Sequence, residues 1–220
     1  MQWSTWPNGG QVPAIDEFAA GHNDDCGPNA QENLMATIAR RKPSASEMDA
    51  VRSYAIAQGH FTNGSGENIH GVLNDLEGYW KIASGSLALA NYLPNFAPFS
   101  LAQIQSLCAT ITSDSHGGIV VEVYNASALP HNQPGVQGHF ISILGYNSDT
   151  QSCKIANGDT VNPRLEESYD ISTGVLQSAH VIAAITVHLA SPVPSETFEC
   201  VRVENGILVL GTAVGTFTPK

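Results

Sequence analysis

Cys26 stands in the stretch Asp24-Asp25-Cys26-Gly27-Pro28-Asn29-Ala30, a polar segment where a helical pattern begins. A cysteine kept for packing belongs in an apolar run, so this placement points to chemistry. A thiol at a helix N-terminus lies in the positive end of the macrodipole, which favours thiolate. Asp24 and Asp25 work against that, so a nucleophilic Cys26 needs a histidine brought from elsewhere in the fold. The chain has eight histidines. His60 and His70 lie in or beside helical patterns, His116 and His131 in loops, and His180 and His188 bracket an apolar strand, while His22 precedes the cysteine. His139 differs: it opens the strand pattern His139-Phe140-Ile141-Ser142-Ile143-Leu144-Gly145-Tyr146 directly after a Gly- and Pro-containing loop.

The elements around these residues follow from periodicity. Ala30, Leu34, Met35 and Ile38 recur at helical spacing, which predicts a helix from Pro28 to about Lys42, with Pro28 at its first position. Arg40-Arg41-Lys42 then forms the cationic last turn, and Pro43 ends the helix. A second helix is expected from Ser44–Ser46 through Val51, Tyr54 and Ile56, a third carrying Ile69, Val72, Leu73 and Leu76, and a fourth over Leu101–Ile111. Thereafter the chain reads as strands: Gly118–Tyr124, His139–Tyr146, Ser152–Asn157 and Ala179–Leu189. Helices first and antiparallel strands later is the α+β pattern. The main domain is expected over residues 1–190. Residues 191–220 read as a Pro/Ser linker and a hairpin turning at Asn205-Gly206, either an edge addition to the sheet or the start of a further module.

DCGPNA before a helix, followed by GHFISILGYN, a short turn and KIANGD, resembles the cysteine peptidases that process bacteriocin leaders at a double-glycine site. The resemblance spans about Asp24 to Asp159 and implies a papain-like fold, with N-terminal helices packed on a C-terminal antiparallel sheet. It implies Cys26 as nucleophile and His139 as general base. The family's ring-orienting Asp falls on Asn157, which can fix the imidazole tautomer as in papain. Asp159 is two residues on, on the same face if the strand continues, and would stabilise an imidazolium more strongly. Relatives donate a hydrogen bond to the oxyanion from a Gln at the position of Ala20. With Ala there, Asn23, His22 or Gln11 are the candidate donors, beside the backbone N–H of Cys26.

What the resemblance implies is a hydrolase that cleaves a peptide or amide bond through a thioester. The family's leader peptidases are fused to membrane exporters. A chain without a membrane segment would suit a bacterial or phage lysin acting on peptidoglycan peptides, or a processing peptidase. An inactive papain-fold binding protein and an acyl transferase with the same triad are the alternatives.

Composition limits the rest. The chain has 220 residues, 42% of them hydrophobic and 13% charged, so it can bury a core. A formal charge of −11 argues against nucleic acid, whose phosphates need Lys and Arg. No run reaches the ~18 apolar residues of a membrane helix, and the N-terminus lacks a cationic region followed by an apolar stretch. The expected location is the cytoplasm where the chain is made, or release, including with a virion, without a signal peptide. The partner is a peptide or peptidoglycan-peptide substrate, and the sequence leaves the oligomeric state open.

Cys108 and Cys153 lie in apolar runs and read as core, and Cys200 falls in the terminal hairpin. No cysteine has zinc-finger spacing, the acidic cluster of Asp24, Asp25 and Glu32 reads as a helix start, and neither metal nor cofactor is expected. Trp3 and Trp6 read as a packed N-terminal strand. The loop Asn63–Gly66 lacks the features of a phosphate cradle and is expected beside the cleft.

Overall fold

The computed structural model describes residues 12–82, 85–89, 97–111, 117–161 and 164–188, and the strand backbones at 202–204 and 207–209. Trp3, Trp6, Gln11, His116 and Cys200 lie outside the described residues. Five helices are described: α1 (Cys26–Ile38), α2 (Ala45–Gln58), α3 (Ile69–Gly78), α4 (Leu101–Cys108) and α5 (Thr173–Ser178). A small hairpin of β1 (Phe61–Thr62) and β2 (Gly66–Glu67) precedes α3. The main sheet holds β3 (Gly85–Leu89), β4 (Gly117–Val123), β5 (His139–Asn147), β6 (Ser152–Ala156), β7 (Tyr169–Ser172) and β8 (Val181–His188), in the order β3-β8-β4-β5-β6-β7. Every neighbouring pair is antiparallel. The chain is therefore an α+β protein, as the run of helices before strands predicts.

Alternation along β5 divides the core. Phe140 and Leu144 pack with Leu34, Met35, Val72, Leu76 and Trp80 of the helical layer, while Ile141 and Ile143 face Ile104, Cys108, Cys153 and Leu176 on the other side. Cys108 and Cys153 are buried there with their sulfurs 3.4 Å apart, as neighbouring free thiols.

The central helix α1 has eleven of its thirteen residues buried, so its polar side chains need partners. Asn33 accepts from the Ile15 N–H at 2.9 Å and Asn29 donates to the Ile15 carbonyl at 2.8 Å. Ser142 of β5 donates to the Ala30 carbonyl at 2.5 Å. Gly118 lets α1 approach the sheet, because a Cβ there would lie 2.5 Å from Leu34 Cδ1 and 2.8 Å from the Ile143 carbonyl oxygen.

Two expectations need correction. The helix begins at Cys26, not Pro28, and ends at Ile38. The Arg40-Arg41-Lys42 run is not its last turn: Arg40 adopts φ 52°, and Arg41 folds back to donate to the buried Glu32 at 2.7 Å. An internal ion-pair partner overrides the macrodipole reading. The terminal strands β9 (Arg202–Glu204) and β10 (Ile207–Val209) pair with each other antiparallel, as the Asn205-Gly206 signal predicts.

Candidate active site

The first residue of α1 and the first residue of β5 meet. The Cys26 sulfur, a His139 ring nitrogen and a Glu17 carboxylate oxygen all lie within 4.8 Å of one another. Packing of α1 on β5 brings Cys26 and His139 together. Glu17 comes from a 3-10 turn, Glu17–Ala20, capped by Asp16, whose side chain accepts from the Phe18 N–H at 2.7 Å.

The antiparallel register of β5 with β6 sets Ser142 opposite Ala156, so the start of β5 lies beside the end of β6. His139 Nε2 is 2.8 Å from Asn157 Oδ1. The Asn157 amide N–H₂ group is already committed to Asn132 Oδ1 and, at 2.9 Å, to Tyr169 Oη, whose own hydroxyl donates to the Pro130 carbonyl. That network fixes the amide orientation and makes Oδ1 the acceptor. His139 Nε2 must then carry the hydrogen, which leaves the Nδ1 lone pair free to take a proton. Nδ1 lies 4.0 Å from Glu17 Oε2, the carboxyl that shares the site with the Cys26 sulfur.

Asp159 does not reach the ring. The strand ends at Ala156 and the chain turns at Asn157-Gly158, so the alternation that would have put Asp159 on the same face fails. Instead its backbone N–H donates to Asn157 Oδ1 at 3.2 Å, and its carboxylate faces Asn132 at 3.5 Å. Of the candidate oxyanion donors, two are described by their side chains. Gly21 turns the chain at φ 81°, after which His22 engages Asp49 of α2 at 3.1 Å and Asn23 is exposed.

Asp24 and Asp25 have structural partners. Asp24 accepts from the Gly64 N–H at 2.8 Å, and buried Asp25 accepts from Arg52 Nε at 2.8 Å, while Arg52 also donates to Asn63 at 2.6 Å. The Gly-rich loop is thus tied to the cysteine loop. Gly27 is needed at the second helical position because a Cβ there would lie 2.5 Å from Glu67 Oε2.

The electrostatics reverse one expectation. Burial, then the Glu17 and Glu67 carboxyls, push the Cys26 thiol well above its ordinary range, outweighing backbone hydrogen bonding from Phe140 and Gly27. Burial also lowers His139 to about 4, against the supporting bond from Asn157. Both shifts favour a neutral thiol beside a neutral imidazole over a thiolate–imidazolium pair. Burial, followed by the carboxylates of Asp159, Asp16, Asp25 and Asp24, raises Glu17 to about 8.

Sequence reading missed Glu17, Asn132, Tyr169 and Arg52. Glu17 lies one 3-10 turn before Ala20, where motif spacing looked for a donor. The acidic pair invited a search for a cation, and Arg52 is that cation. Nothing local marks Asn132 or Tyr169, which only the fold brings to Asn157. The same Glu17, Cys26 and His139 are also, by geometry alone, a group that could hold a metal ion. No protein-family model matches the chain, and no curated protein matches it. Among the described residues no helix is long and apolar enough to cross a membrane.

Proposed function

We propose that the chain is a cysteine hydrolase of papain-like architecture that cleaves a peptide or amide bond through a thioester at Cys26. The observation that supports this best is the His139 tautomer: Asn157 holds the Nε2 hydrogen, so Nδ1 is the basic atom of a ring that has a nitrogen within 4.8 Å of the Cys26 sulfur. As the sulfur attacks a carbonyl, its proton passes to His139, and the imidazolium returns that proton to the departing amine. The amine leaves, and His139 then activates water to hydrolyse the thioester. Because thiol and imidazole are both neutral at rest, proton transfer accompanies attack and does not precede it.

The chemistry is tested with an activated ester, p-nitrophenyl acetate. A burst of about one equivalent of nitrophenolate should accompany acetylation of Cys26 in mass spectra. Cys26→Ala should abolish it, and His139→Ala should slow it by roughly 10²–10⁴. A chelator should leave the burst intact. No burst, or a burst that survives Cys26→Ala, refutes the reading, and loss with chelator would favour metal chemistry at the same residues. Incubation with peptidoglycan and with double-glycine leader peptides, scored by new amino termini, separates the two substrate classes. Added hydroxylamine reveals acyl transfer.

A further inference from the structure

Glu17 is a buried carboxyl group with an oxygen that accepts no hydrogen bond. It is 6% exposed, and its Oε2 has no hydrogen-bond partner although it lies at the Cys26–His139 pair. Its position is built into the fold, because its backbone N–H donates to the Gly158 carbonyl at 3.1 Å, on the same corner that carries Asn157. The charged groups around it are unfavourable to a carboxylate: Asp16 on its own segment, Asp159 beyond β6, and Asp24 and Asp25 before α1. Two cations serve this cluster, each at another carboxylate: Arg52 pairs with Asp25 at 2.8 Å, and the largely exposed Arg164 lies 3.5 Å from Asp16. The remaining neighbours are the neutral His139 and Cys26.

We propose that protonated Glu17 is the oxyanion donor of this site, its O–H hydrogen-bonding the alkoxide formed when the Cys26 sulfur adds to a carbonyl. This rests on the hydrolase reading above. In the step, the S–C bond forms, the thiol proton goes to His139 Nδ1, and the carbonyl π pair becomes the oxygen lone pair that Glu17 stabilises. Glu17 keeps its proton throughout. On collapse the C–N bond breaks, the imidazolium proton leaves with the amine, and Glu17 is released unchanged. An ionised Glu17 would repel the same oxygen, so its raised pKa of about 8 keeps the donor form present at neutral pH. The hydrogen bond that Ala20 cannot make would come from a carboxylic acid one turn earlier.

Two reactions of the same sulfur separate the possibilities. Acylation by p-nitrophenyl acetate passes through an oxyanion, whereas alkylation by iodoacetamide does not. Glu17→Ala should slow acylation by ~10²–10³-fold without slowing alkylation, because loss of the carboxyl only eases ionisation of the thiol. Glu17→Gln, which offers an N–H of similar reach, should acylate near the native rate. It should also lack the decline that the native protein shows as pH rises through about 8. The proposal is overturned if Glu17→Gln is as slow as Glu17→Ala, which would require a carboxylate, or if Glu17→Ala acylates normally. Absence of Cys26-dependent acylation in the native protein would instead overturn the hydrolase reading itself.

Discussion

At the residue scale, the site depends on which heteroatom holds each proton. Asn157 orients His139 without charge, so burial outweighs the supporting hydrogen bond and holds the imidazole down near 4. The proposed activity should therefore rise as pH passes upward through about 4, where His139 loses its proton, and decline above about 8 as Glu17 ionises. Asn157→Asp would place a carboxylate on Nε2 and favour imidazolium. The acidic limb should then move to higher pH, measurable as the pH dependence of the acylation rate. An unchanged limb would mean that Asn157 does not set the basicity of the ring. Cys26 was legible from its setting, because Gly27-Pro28 and the apolar spacing marked a helix start. Glu17 was not. An acidic residue in a short 3-10 turn carries no periodicity, and its value arises only when β5 and α1 close over it.

At the element scale, α1 is the part that positions Cys26, and directional polar contacts hold it as much as apolar ones. Its buried face was visible in Ala30, Leu34, Met35 and Ile38, all of which are buried. The strands β4, β5, β6 and β8 and the helices α2 and α3 were likewise legible from their periodicity or caps. The short segments β3, β7 and α5 lacked a long enough pattern and depend on tertiary pairing. Asp25 shows what lay beyond local reading, since its partner Arg52 is on α2. Arg52→Ala would leave a buried carboxylate unpaired and should destabilise the fold by about 3 kcal/mol, read as a shifted denaturation midpoint. The same variant should slow acylation of Cys26, because the loop before α1 loses its anchor to the Gly-rich loop. Gly118→Ala should cost roughly 1–3 kcal/mol, since Leu34 and the Ile143 carbonyl leave no space for a methyl group.

At the scale of the whole molecule, the acidic balance and the buried carboxyls act in the same direction. Burial raises Glu17 to about 8, and burial together with the adjacent Asp75 raises Glu67 to about 10. Burial also moves Asp25, Glu32, Glu122 and Asp159 upward. A group raised on folding contributes stability that is complete below its unfolded pKa, near 4.5 for these Glu residues, and is lost as pH rises through the folded value. His139 has the opposite sign, and its contribution is lost as pH falls from 6.5 toward about 4. The unfolding temperature should therefore peak in mildly acidic solution and fall steadily toward alkaline pH. Glu67→Gln should flatten that fall, as followed by calorimetry, and a maximum above pH 8 would contradict this assignment. The neutral thiol has a further consequence. Peroxide attacks thiolate far faster than thiol, so a sulfur that, in the proposed mechanism, gives up its proton only to an arriving carbonyl should stay reduced while the protein waits in air. Its oxidative wear would then accumulate with turnovers and not with time.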